Sequence, residues 1–305
     1  MRVFSHDTAT FPLPAAHKFP LAKYRLLRER LLADGLVAPP EVEFPGPVAW
    51  SDLARVHDGG LLHRIRTGSL SDREERGLGL PWSPQLVERG RRSVAGTVGA
   101  ARDALDRGLG MNLGGGTHHA GRDFARGFCL FNDVVVATAR LREEGRVRRV
   151  LVVDCDVHQG DGTAQLLHPD PEAFTLSLHG ARNYPFKRIP SDLDVDLPTG
   201  TGDAGYLDAL NGALDTALAA LPAPDLAFFL AAADPWEGDR LGRLALTKSG
   251  LAARDALVLD HLGAEGVPVC VVLAGGYAAD VRDTVDINAA TARAVRDRLA
   301  ARLAA

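Results

Sequence analysis

Apolar residues fall along the chain in two alternating patterns: short unbroken runs and longer stripes at helical spacing. The runs at 150–154 (VLVVD), 173–180 (AFTLSLHG), 225–233 and 267–273 are rich in Val, Leu and Phe. Runs of this kind predict strands buried on both faces, as in a parallel sheet. Arg2–Phe4 and Met111–Leu113 predict two shorter strands. Between the runs lie helical stripes. Leu21, Tyr24, Leu27 and Leu31 share one face of a helix stopped near Gly35. Pro84–Gly108, Asp133–Glu144, Tyr206–Leu221, Thr247–Gly263 and the C-terminal Ala/Arg segment have the same periodicity. Asn132 is placed to cap the helix that follows it, and Ser51 to cap one through DLARVHDGGLLHRI. Thr163–His168 predicts a helical turn. Residues 38–50, 67–84 and 182–206 predict loops, the carboxylates of the last mostly solvated. With strands and helices alternating and no repeat or linker, the expectation is one α/β domain over 1–305. Its layers would be α/β/α around a mainly parallel sheet.

Composition narrows the function. The chain has 305 residues, 46% hydrophobic and 24% charged, enough for a sizeable core. Its net charge is −4 and no polybasic block is present, which argues against nucleic acid or an anionic membrane as partner. No run is long enough to span a bilayer, and MRVFSHDTATFPLP lacks a signal peptide's apolar core. Cys129, Cys155 and Cys270 are scattered, odd in number and without a CxxC pair. They exclude a disulfide scaffold or a cysteine zinc finger and fit a reducing cytoplasm. Cys155 and Cys270 read as small core residues.

The richest chemistry lies in VLVVDCDVHQGDG, Val150–Gly162. Alternate residues of an extended backbone share a face, so Asp154, Asp156 and His158 are expected to point the same way. Two carboxylates and an imidazole at the C-terminal end of such a strand suit a metal ion, and open parallel sheets bind ligands at that end. Gly160 and Gly162 let Asp161 turn toward the same crevice. In GMNLGGGTHH, the adjacent His118 and His119 can reach one site only on an irregular loop, which the triple glycine permits. Asp234 closes another apolar run, and Tyr277 follows Ala-Gly-Gly after the last one. His6, His17, His57 and His63 lie outside these clusters and read as structural or surface residues.

In this order the strand ends resemble those of the zinc-dependent histone deacetylase family, whose fold is shared with arginase. The likeness runs from HKFPLAKY to LAGGY, and RNYPFKRIPSDLDVDLPTGTGD and EGDRLG are most similar to the class IV branch and its bacterial relatives. The resemblance implies an arginase/deacetylase-like fold and hydrolysis of acyl-lysine in proteins, or of acylated polyamines and other small amides. It implies Asp156, His158 and Asp234 as ligands of one Zn²⁺. His118 and His119 would be catalytic, backed by Asp154 and Asp161, and Tyr277 would hydrogen-bond the scissile carbonyl. Asp154, Asp156, His158, Ser177 and Leu178 match a structural K⁺ site, the last three partly through backbone carbonyls. Gly127, Phe128, Phe186 and Leu241 match the substrate tunnel.

Zinc can polarise an amide carbonyl and lower the pKa of bound water to about 7. On this likeness His119 is the general base and then acid, and His118 a charge stabiliser. A binding module without activity would have no use for such a pair. One departure stands out. Class I relatives carry an acid that grips the peptide backbone where this chain reads Gly77-Leu78-Gly79-Leu80-Pro81-Trp82. Class IV relatives prefer long fatty acyl groups. A buried methylene is worth about 0.8 kcal/mol and a hydrogen bond about 1 kcal/mol. Acyl groups longer than acetyl are therefore expected to react at least as well as acetyl.

Overall fold

The apolar runs are buried on both faces because helices cover both. The computed structural model describes residues 1–14 and 17–304. In chain order its strands are β1 (Val3–Phe4), β2 (Val42–Glu43), β3 (Leu109–Asn112), β4 (Val150–Asp154), β5 (Ala173–Gly180), β6 (Leu193–Leu197), β7 (Leu226–Leu230) and β8 (Val269–Val272). The helices are α1 (Ala22–Ala33), α2 (Trp50–Leu53), α3 (Gly59–Thr67), α4 (Asp72–Leu78), α5 (Pro84–Arg107), α6 (Asp133–Glu143), α7 (Asp161–Leu167), α8 (Asp203–Ala220), α9 (Lys248–Ala264) and α10 (Val281–Ala304). The sheet order is β2-β1-β3-β8-β7-β4-β5-β6, and every pairing is parallel.

Side-chain alternation divides the core into two layers. Leu151, Val153, Phe229 and Val271 face α1, α8, α9 and α10. Val150, Val152, Phe228 and Val272 face α2, α3, α5 and α6. Each such buried side chain contributes roughly 1.5–3 kcal/mol. Asn112, Val272, Leu230, Asp154 and Ser177 stand in register across adjacent strands. The loops after β3, β8, β7, β4 and β5 therefore open at one edge of the sheet. No described helix is long and apolar enough to cross a membrane. All three cysteines are buried and free.

Three expectations need correction. Residues 67–84 are not all loop: they contain α4, whose Ser71 hydroxyl accepts from Glu74 N at 3.3 Å while the Glu74 carboxylate accepts from Ser71 N at 2.8 Å. The helix expected after Ser51 is two helices. Ser51 lies within α2, and Asp58 starts α3 by accepting from Gly60 N at 2.8 Å and Leu61 N at 3.1 Å. Residues 182–206 contain β6 at the sheet edge, and their acids are mostly engaged. Asp192 accepts from Thr175 N and Oγ1 at 2.8 and 2.7 Å, and Asp194 from Gln159 Nε2 and Ser191 N, both at 2.9 Å.

Candidate active site

β4 ends at Asp154, and residues 155–160 leave the strand. Strand alternation therefore does not gather Asp154, Asp156 and His158. Hydrogen bonds to the turn do so instead. Asp154 Oδ1 accepts from Asp156 N at 3.0 Å, Asp156 Oδ1 from His158 N at 2.9 Å, and Asp234 Oδ1 from Val157 N at 3.0 Å. The turn aims Asp154 at His118 and brings Asp156 and His158 against Asp234.

The ligand atoms of Asp156, His158 and Asp234 all lie within 4.8 Å of one another. His158 Nδ1 is 2.9 Å from Asp156 Oδ1 and 3.4 Å from Asp234 Oδ2. Asp234 Oδ2 is buried without a hydrogen-bond partner. Gly275 N donates to Asp156 Oδ2 at 2.8 Å, and a Cβ on Gly275 would stand 1.8 Å from Asp234 Oδ2. Only glycine lets that loop approach so closely. Burial, then the charge of Asp156, pushes Asp234 up to about 7. Burial opposes charge on His158, but the adjoining carboxylates of Asp156 and Asp234 hold it up at about 10. A cation between them would satisfy all three side chains. Two carboxylates and an imidazole, one of the carboxylate oxygens buried and unpartnered, fit a divalent ion of the zinc type.

The paired histidines sit on the loop after β3. Asp133, at the start of α6, pins that loop by accepting from Gly116 N at 3.0 Å and Thr117 N at 2.7 Å. Gly116 has φ +69°, and a Cβ there would meet Ala274 Cβ at 2.5 Å. His118 Nδ1 is 2.6 Å from Asp154 Oδ2, His119 Nδ1 is 2.5 Å from Asp161 Oδ1, and the ring centroids are 4.2 Å apart. The two pairs differ in charge. Burial opposes charge on His118, yet Asp154 and Asp156 outweigh it and hold the ring up at about 9. Burial, then the like charges of His118 and His158, pushes His119 well below the usual histidine range. Arg126 contributes to that lowering, for its guanidinium is ion-paired with Asp161. One imidazolium beside one neutral imidazole is a division of labour suited to acid–base chemistry.

Tyr277 is held by its backbone: its N–H donates to Asp239 Oδ2 at 2.5 Å and its carbonyl accepts from Arg240 Nε at 2.9 Å. Burial, then the charges of Asp156 and Asp234, raises its phenol far above the usual value, so it stays a donor. Gly127 and Phe128 both have positive φ, +56° and +68°. For Phe128 this conformation costs on the order of 1–3 kcal/mol. It is held by Gly127 N and Phe128 N donating to Gly77 O and Leu78 O at 3.0 and 2.8 Å. A Cβ on Gly127 would meet His119 Cδ2 at 2.5 Å. Leu241 is half-buried in the same wall, while Phe186 is 88% exposed at the mouth. Ser177 stands beside Asp154 in the β4–β5 register, with Leu178 next along β5.

One cavity of about 530 Å³ is lined by Gly127, Phe128, Asp156, His158 and Leu241 among these residues. Its lining also includes His118, His119 and Tyr277, the exposed Phe186 at its mouth, and at its deep end the buried His6, Phe11, Lys23, Arg89 and Ser93. The sequence reading missed Asp133, Arg126, Tyr184, Lys23 and Arg89. Tyr184 packs edge-on against His119 at 5.0 Å. His6 was set aside as structural, yet it borders the deep end. His57 is structural, with Nδ1 2.8 Å from Gly121 O and Nε2 accepting from Asn132 N at 3.0 Å. At the rim Leu80 is buried and Trp82 Nε1 donates to Ile65 O at 2.8 Å. Asp72 and Glu75 of α4 border the adjoining depression.

Residues 17–292 match the histone deacetylase domain. An uncharacterized protein of Picosynechococcus is 42% identical over 97% of this chain and 98% of its own length. A histone deacetylase-like amidohydrolase of Pseudomonas aeruginosa is 30% identical, covering 87% of this chain and 74% of its own. Among solved structures, a histone deacetylase homologue complexed with SAHA superposes with a TM-score of 0.83 at 22% identity, over 97% of this chain and 84% of that one.

Proposed function

The chain belongs to the histone deacetylase domain family, and from that premise we propose that it is a zinc-dependent hydrolase of acyl-lysine side chains, of the class IV type. The observation that carries this reading is the pair of buried His–Asp dyads beside the cluster of Asp156, His158 and Asp234, with His118, His119, Asp156 and His158 lining one cavity. Zinc bound by those three residues would polarise the substrate carbonyl and activate water. His119, neutral and oriented by Asp161, accepts the proton of the attacking water and later donates one to the departing amine. His118, as imidazolium, stabilises the charge that develops. Tyr277 donates its phenolic hydrogen to the carbonyl oxygen. Gly127, Phe128 and Leu241 line the approach of the lysine stem, with Phe186 at its mouth. Asp154, Asp156, His158, Ser177 and Leu178 are proposed to hold a structural potassium ion.

The cavity's volume of about 530 Å³ supports acyl groups longer than acetyl. The test is kcat/KM for acetyl-, octanoyl- and myristoyl-lysine in one peptide, with acetylated polyamines alongside, using zinc-loaded and metal-stripped protein in the cytoplasmic pH range. The expected result is hydrolysis only with metal, the longer chains matching or exceeding acetyl. Full activity after stripping would overturn the metal's role. Unreactive long chains would show that the pocket is short, and preference for polyamines would move the substrate from protein to small amine.

A further inference from the structure

The deep end of the cavity holds two positive charges that the metal and acid–base residues do not use. Lys23 and Arg89 both border it, and they are only 2% and 5% exposed. Among the described residues neither has a carboxylate partner within ion-pair distance. Lys23 Nζ donates to Ala274 O at 3.1 Å and lies 5.5 Å from the centroid of Tyr277. Arg89 Nη1 donates to His6 O at 3.0 Å and to Ala9 O at 2.8 Å, while its Nη2 is buried with no partner. Both cations pack on Tyr24, Lys23 Nζ at 5.3 Å and Arg89 Cζ at 4.4 Å from the ring centroid. Asp7, the carboxylate whose charge reaches Arg89, is engaged with Ser5 Oγ at 2.7 Å and Arg28 Nε at 3.0 Å. His6 adds no charge, since burial, then the charge of Arg89, holds it well below the usual histidine range.

Ring faces and carbonyls relieve part of the cost of burying these cations, but two buried positive charges with no ion-paired acid remain expensive. A carboxylate in the cavity between them would offset both charges. The direction of the cavity says where that carboxylate comes from. A lysine stem entering at Phe186 puts its amide carbonyl at Tyr277. The acyl group must then continue toward Lys23, one ring away, and Arg89 beyond. Resting on the deacylase reading above, we propose that this site prefers acyl groups ending in a carboxylate, such as succinyl and glutaryl, over neutral acyl groups of equal length. Water supplies the oxygen that bonds to the carbonyl carbon. The C–N bond breaks with its electron pair on nitrogen, which takes a proton. The products are the free amine and a dicarboxylate, with no oxidant or reductant.

The experiment compares kcat/KM for succinyl- against butyryl-lysine, and glutaryl- against pentanoyl-lysine, in one peptide. Wild-type protein, Lys23→Met and Arg89→Met are each assayed. A charge-assisted pair gained in the cavity should favour the carboxylated group by at least about 10-fold in the wild type. Each variant should bring the ratio toward or below one. A wild-type ratio below one overturns the proposal, as does a high ratio that neither variant changes. A carboxylate released as product is the other possible occupant. If the cations serve only that, the variants slow every acyl group alike and leave the ratio unchanged, which also overturns the proposal. Should no acyl peptide react, acetyl included, the deacylase reading falls by itself. Calorimetry on His119→Ala then decides the carboxylate site: tighter binding of succinyl than of butyryl peptide upholds it, and equal binding overturns it. Because Arg89 also ties down Ala9, Lys23→Met carries the test if Arg89→Met does not fold.

Discussion

The cavity has two walls, and they hold charge in opposite ways. On the sheet side Asp156 lines the cavity with Asp154, Asp161 and Asp234 behind it, all from strand ends and the turns just beyond them. Each accepts a hydrogen bond from a histidine or from a backbone N–H. On the other side Lys23 comes from α1 and Arg89 from α5, and each rests on carbonyls and a tyrosine ring rather than on an acid. The first wall is placed by the strand register, which sets where each loop begins. The second is made by helices laid over the sheet, whose side chains bound the cavity without belonging to its hydrogen-bond network. A substitution on the sheet wall should therefore change whether the reaction runs, and one on the helix wall which acyl group enters.

The sharpest break is Asp234→Ala. It removes one of the three clustered donors, so activity and tight metal binding should vanish together, read by turnover and by metal content after dialysis. His119→Ala comes next. Turnover should fall by about 10² or more with metal content intact, the usual loss for a general acid–base group. If metal is lost as well, the two parts of the sheet wall are not separable. On the helix wall Ser93→Leu should fill the deep end. If it displaces about three methylenes of a long acyl chain, octanoyl-lysine should lose roughly 50-fold in kcat/KM while acetyl-lysine changes by a few-fold. Equal losses for both substrates would erase the distinction between the walls.

The smallest effect concerns the frame behind the sheet wall. His57 is 3% exposed, and burial holds it down at about 4. The unfolded chain therefore binds a proton that the folded chain refuses between pH 6.5 and 4, and stability falls as pH drops through that window. The loss from this group should reach about 2 kcal/mol at pH 5. Urea titrations at pH 7 and pH 5 should show a smaller difference for His57→Gln than for the wild type.

Most of the sheet and the site was legible in the sequence because unbroken apolar runs and the acids that close them are local signals. The parallel strands, Asp234 and the His118-His119 loop all follow from neighbours in sequence. Where distance in sequence mattered, the reading failed. Arg126 and Asp133 act on Asp161 and Gly116 through the fold, and Lys23 reaches Ala274 across most of the chain. Two misses did have local signals. Ser71 and Glu74 form the capping pattern that starts α4, and Leu193-Asp194-Val195-Asp196-Leu197 alternates as an edge strand does. Both were outweighed by the Pro, Gly and charge around them. The helix after Ser51 broke because Asp58 offers its carboxylate to a new N-terminus in the middle of the stripe.

That edge strand bears on how copies of the chain behave toward one another. An open sheet ends in two rows of unpaired backbone groups, each a template for another molecule's strand. Here one border, β2, is only two residues long. The other, β6, carries Asp194 and Asp196, the first tied to Gln159 and Ser191 and the second ion-paired with Arg188. An incoming strand would find little length to zip along at β2 and anchored negative charge at β6. The sheet is thereby kept from growing beyond its own molecule, and crowded solutions of the folded chain should resist fibrillar association.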